Sequence, residues 1–142
     1  LWSHYADSHR GICIEFNANL DPMRMSMKVK YQDEYPQIEY PLPQDARGFE
    51  SILTKSSQWS YEDEYRSLLI AAAYTPLPHD DVSFFIRPGA ITGVYLGSQI
   101  SPAHTEMVLN LIRTSESAPR VWKAEIADDT FSINFKRVAI EA

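Results

Sequence analysis

Between Gly11 and Asn17 apolar and polar side chains alternate, so that Ile12, Ile14 and Phe16 share one face while Cys13 and Glu15 take the other. That is the period-two pattern of a half-buried strand. Met27, Val29 and Tyr31 alternate in the same way with Lys28 and Lys30 and predict a second strand over 27–32. Pro36, Pro41 and Pro43 then mark a long loop, because proline interrupts both helix and central strand. Asp45 is placed to cap a helix running to Ser56, with Phe49, Ile52 and Leu53 as its apolar stripe. The unbroken apolar run within Tyr65 to Ala73 suits a buried strand, and Val82 to Arg87 predicts a short one before the Pro88-Gly89 turn. Ile91 to Leu96 predicts another strand, ended by Gly97. Ser101 followed by Pro102 is a helix start, with the hydroxyl as cap and Val108, Leu111 and Ile112 as core face. Val121 to Ala127 and Phe131 to Val138 are spaced as a hairpin across Asp128-Asp129. Together these predict an α+β fold with about six strands, in a mostly antiparallel sheet, and about two helices.

Composition narrows the picture. A chain of 142 residues with 44% hydrophobic and 23% charged side chains can bury a core and is read as a single domain over 1–142. Nineteen acidic against thirteen basic residues leave a net charge of -6, which excludes a general grip on nucleic-acid phosphates. Cys13 is the sole cysteine, which fits a reducing cytoplasm and a small buried side chain. The longest apolar run, Leu68 to Tyr74, falls far short of the roughly 20 residues of a membrane helix. Leu1 opens directly on the aromatic and polar string Trp2, Ser3, His4, Tyr5, so the chain reads as the C-terminal part of a longer protein.

Chemistry concentrates in two stretches. In the first, Glu62, Glu64 and Arg66 would project from one face of a strand, about 7 Å apart per two residues. On a helix only Glu62 and Arg66 would pair, at i and i+4. Two carboxylates on one face can divide labour, one stabilising positive charge on a sugar carbon and the other activating the incoming group. The plainer alternative is an ion network neutralised by Arg66. In the second stretch the imidazole of His4 and the phenol of Tyr5 could hold a ribose or carboxamide, and Arg10 a phosphate or carboxylate. A histidine packed against tryptophan is the structural alternative. His4 and His9 lie about 140° apart on a helix, and no metal-ligand spacing occurs, so no metal site is expected. The turn Leu96 to Pro102 lacks a phosphate-loop pattern and reads as a helix cap.

Trp2 to Gly11 followed by Cys13 to Phe16, then Lys55 and Trp59 to Arg66, then Val94 to Gly97 ahead of a helix, resembles the bacterial family catalogued as domain of unknown function 2971. That resemblance implies a further region upstream of the Trp2 block. The Glu62-x-Glu64-x-Arg66 segment is also similar to the Glu-x-Glu strand of ADP-ribosyltransferases. By that resemblance Glu64 would stabilise an oxocarbenium-like transition state, Glu62 would orient the acceptor, and His4 or Tyr5 would hold NAD as substrate. Two readings result. One is a nucleotide- or NAD-handling transferase or glycohydrolase with Glu64 and Glu62 catalytic and His4, Tyr5, Arg10 and Arg66 binding a small nucleotide-like ligand. The other is a non-catalytic binding, sensor or scaffold domain of a bacterial defence or stress protein, with Glu62 and Arg66 as a structural ion pair. No resident cofactor or protein partner is named by either reading.

Overall fold

The computed structural model describes residues 1–37, 48–68 and 86–140. The chain forms two compact units, Leu1–Asp21 with Leu77–Ala142, and Pro22–Pro76.

In the first unit a short helix α1 (Trp2–Tyr5) leads into strand β1 (Ile12–Phe16). The later part supplies β6 (Ile91–Leu96), helix α2 (Pro102–Arg113), β7 (Arg120–Ile126) and β8 (Ile133–Val138). They form a four-stranded sheet in the order β1-β6-β7-β8. β1 pairs antiparallel with β6, β6 parallel with β7, and β7 antiparallel with β8. Parallel neighbours need a crossover, which the α2 segment provides. The Ser101 side chain accepts from the His104 N–H at 3.1 Å and Pro102 occupies the first turn, as the sequence predicts.

Val94 and Leu96 of β6, Val121 of β7, and Ile100, Leu109 and Ile112 beside them form the core. Leu96 and Val121 are fully enclosed, each burial being worth about 1.5–3 kcal/mol. Leu111, expected on this face, is 66% exposed, because it sits about 200° around the helix from Leu109. Ile12 and Ile14 are 37% and 40% exposed and Cys13 is also exposed, where burial was expected. Among the described strands β1 lies at the edge of the sheet, and the core cluster centres on β6 and β7. The register shifts between Glu15 and Phe16, a bulge that leaves Thr92 opposite no single partner.

The second unit carries β2 (Met27–Lys28), β3 (Lys30–Gln32), β4 (Thr54–Ser56) and β5 (Tyr65–Arg66), with 3₁₀ turns at Met23–Met25 and Ser57–Glu62. β2 pairs antiparallel with β5 and β3 parallel with β4. The strand expected over 27–32 is thus one extended run that changes partner at the buried Val29. Its N–H bonds Glu64 O at 2.9 Å, and the Lys30 N–H bonds Leu53 O at 2.7 Å. The helix expected from Asp45 to Ser56 is corrected where it is described: 48–53 form turns and 54–56 a strand. A single helical bond, Leu53 N–H to Phe49 O at 2.9 Å, is formed before pairing with β3 takes over. Residues 45–47 of that expectation lie outside the described residues, as do 69–73 and 82–85 of the two expected apolar strands. The α+β class holds, but the described strands divide into a sheet of four and two pairs rather than one sheet of about six.

Candidate functional site

The expected single strand face for Glu62, Glu64 and Arg66 does not form. Glu62 ends a 3₁₀ turn, and Asp63 follows in the left-handed region at φ 45°, which a short polar side chain tolerates. The chain reverses there, so the two acids meet through a residue the strand pattern did not single out. Lys55, opposite Tyr31 in the β3-β4 register, donates to Glu62 and also reaches Glu64 Oε2 at 3.2 Å. Arg66 clamps Glu64 in a fork, with Nε to Oε1 at 2.7 Å and Nη2 to Oε2 at 3.1 Å, and its Nη1 donates to Ile52 O. The Glu64 N–H donates to the Tyr31 hydroxyl at 2.8 Å. Lys55 Nζ also stands 5.1 Å from the Trp59 ring centre, within cation-π reach.

The result is two cations on two carboxylates, with the Glu62 side chain only 6% exposed. Arg66 pairs with Glu64 and Lys55 takes Glu62, which corrects the expected Glu62 to Arg66 pair. The hydrogen bonds of Arg66, followed by those of Lys55, hold the Glu64 carboxyl below its ordinary range, and Glu62 first raises the affinity of Lys55 for its proton. Glu64 is therefore ionised at neutral pH, and three donors occupy its oxygens. A carboxylate offers about four acceptor positions, so little of it is left to face a ligand. A lowered carboxyl pKa contributes stability above the unfolded value, about pH 4.3, and loses it as pH falls through the folded value. Between pH 7 and pH 3 the wild type is expected to lose more of its denaturation midpoint than Glu64→Gln does. Equal losses in urea melts at the two pH values would show that the clamp contributes nothing.

His4, Tyr5 and Arg10 belong to the first unit. The His4 and Tyr5 rings are 6.4 Å apart and tilted by 59°, with Tyr5 66% exposed. Arg10 approaches Asp7 at 3.9 Å with both side chains open to solvent. His9 stacks on Trp2 at 6.1 Å with the rings 9° from parallel. Asp7, Ser8 and His9 all take positive φ, at 44°, 50° and 68°, so the segment is a tight left-handed turn.

A second cluster in this unit escaped the motif reading. Glu15 accepts from Thr92 Oγ1 at 2.5 Å, Tyr95 OH at 2.6 Å and Arg120 Nη2 at 2.9 Å. The bulge at Thr92 and the register pairs Glu15 with Gly93 and Gly93 with Arg120 create it. Thr92 and Tyr95 chiefly hold the Glu15 carboxyl below its ordinary range, while Glu15 pushes the Tyr95 phenol up. Partial desolvation, then the Glu15 charge, raises the Cys13 thiol, which makes it a poor nucleophile. The sequence signal for this cluster was the alternation in β1, which set Glu15 opposite Ile12 and Ile14; the remaining partners are 77 to 105 residues away. Among the described residues no group of three metal-ligating side chains is placed to hold a metal ion. No helix among them is long and apolar enough to cross a membrane.

Residues 1–67 match the family model described as a protein of unknown function, DUF2971. That span includes His4, Tyr5, Arg10, Lys55, Glu62, Glu64 and Arg66 and ends before Thr92, Tyr95 and Arg120. No curated protein and no solved structure matches the chain.

Proposed function

We propose that this chain acts as a binding domain and that Lys55, Glu62, Glu64 and Arg66 form the ion network that holds its second unit together. The observation that carries this reading is the engagement of Glu64, whose two oxygens already accept three bonds from Arg66 and Lys55. A transferase of the paired-acid kind needs a carboxylate directed at the sugar carbon where positive charge develops. Here the charges of both acids are offset by two adjacent cations, and Glu62 is enclosed. Fixed, bonded charge suits a scaffold.

The test is release of nicotinamide from labelled NAD by the full chain and by Glu64→Gln. The expected outcome is no release above background for either protein, together with a melting temperature for the variant lower by about 2–5 °C. Release by the wild type that Glu64→Gln abolishes, with melting unchanged, would replace this reading with the transferase one.

A further inference from the structure

One face of the four-stranded sheet combines rings and guanidinium groups in a way that the ion network does not. Cross-strand partners share a face, and the register runs from Cys13 to Tyr95, Tyr95 to Trp122 and Trp122 to Arg137 across β1, β6, β7 and β8. The Tyr95 and Trp122 ring centres lie 6.3 Å apart with their planes 13° from parallel, and Trp2 packs on Phe135 at 6.4 Å. Phe135 meets Tyr95 edge to face at 5.1 Å and is 42% exposed. A cavity of about 560 Å³ between the ends of β7 and β8 has Arg120 and Arg137 among its lining residues, and in the register these two adjoin Trp122 and Phe135. Its volume falls within the range of small-molecule sites, about 300–1,000 Å³.

Charge separates this cavity from the rest of the molecule. The chain carries -6 overall, yet two arginines are among the residues that line this hollow. Arg120 is anchored by Glu15 with half of its side chain exposed. Arg137 is exposed, and its side chain has no hydrogen-bond or ion-pair partner among the described residues. Guanidinium groups suit phosphate oxygens, and aromatic faces suit a planar heterocycle. His9 Nδ1 and Trp122 Nε1, rings of the same aromatic cluster, are buried without a hydrogen-bond partner among the described residues. Packing here stops short of satisfying its polar groups, as it commonly does at functional sites.

We propose that this face binds a mononucleotide, with its phosphates between Arg120 and Arg137 and its base against the Tyr95, Trp122 and Phe135 rings. This rests on the reading of the chain as a binding domain. The net negative charge favours a small phosphate ester over a nucleic-acid strand, whose many phosphates would meet repulsion beyond the two arginines.

Calorimetric titration of the full chain with ADP, adenosine, inorganic pyrophosphate and a single-stranded oligonucleotide tests the assignment. ADP is expected to bind the wild type, with about tenfold weaker binding after Arg137→Gln and after Phe135→Ala. Adenosine binding should be insensitive to Arg137→Gln, and pyrophosphate binding insensitive to Phe135→Ala. Both positions are exposed, so folding should survive, and melting curves check it. Absence of ADP binding at millimolar concentration overturns the inference, as do unchanged affinities in both variants or tighter binding of the oligonucleotide. These results leave the ion-network reading standing. If Glu64→Gln abolishes ADP binding while Arg137→Gln and Phe135→Ala retain it, the ligand belongs to the acid cluster and both readings fail.

Discussion

Gly97→Ala is expected to lower the melting temperature by about 10 °C, the largest effect of any single methyl group in the described structure. A Cβ at this position would lie 2.1 Å from His9 O, 2.6 Å from His9 C and 2.9 Å from Gly11 O. These are backbone atoms, which cannot rotate away as a side chain could. The loop they belong to is also held in place. Gly97 N–H bonds Gly11 O at 2.9 Å, Gln99 N–H bonds His9 O at 2.9 Å, and Gly11 N–H bonds Ala6 O at 2.8 Å. Room for the methyl group therefore comes at the cost of hydrogen bonds around a turn whose φ angles are already positive at Asp7, Ser8 and His9. Gly89→Ala is the control: its φ is +80° and no heavy atom of the described residues lies within 4 Å of the added Cβ, so it pays only the left-handed cost of about 1–2 kcal/mol. Thermal melts that place Gly97→Ala at or above Gly89→Ala would show that the close seat of the loop on Gly97 is not a constraint.

Lys55→Met should produce the second large effect, a fall of about 5 °C or more at neutral pH. The methionine keeps the apolar stem but removes the ammonium that bridges Glu62 and Glu64. Glu62, with its side chain 6% exposed, would then lose the ammonium that pairs with it in an enclosed place. The second substitution Glu62→Gln, made in the Lys55→Met background, removes that charge and should restore part of the loss. The two sites are therefore expected to be strongly coupled. Glu62 chiefly raises the pKa of Lys55 above its ordinary value, so this contribution is complete below about pH 10.4 and is lost only as pH rises through the folded value. The Lys55→Met deficit should accordingly be flat from about pH 6 to 9. A double variant no more stable than Lys55→Met would remove the case for an enclosed, charge-paired Glu62.

The two classes of local signal behaved differently. Some elements were legible from local signals: Ile12–Phe16 and Ile91–Leu96 are strands where the sequence predicts them, and the Ser101-Pro102 signal starts α2 where it should. The hairpin of β7 and β8 also follows its sequence spacing, with ladder pairs from Val121 with Val138 to Ile126 with Ile133. Around Phe49 to Ser56 the apolar spacing was helical, yet pairing of Thr54–Ser56 with Lys30–Gln32 prevailed. A short helix of weak formers gains less than a strand ladder that settles backbone donors and acceptors. At the candidate site, the residue types in Glu62, Glu64 and Arg66 were visible, but the pairing was not. Asp63 at φ 45° turned the chain, and Lys55 came from another strand.

What the sequence by itself determined is the local hydrogen-bonding habit of each strong segment and the presence of two acids and a guanidinium within five residues. Those depend on neighbours along the chain, where periodicity and capping act. The tertiary structure alone decided that Lys55 and Arg66 neutralise the acids, and that Arg120 and Arg137 both line one cavity. These contacts are made by strand register and by a bulge, which bring together side chains that no spacing rule relates.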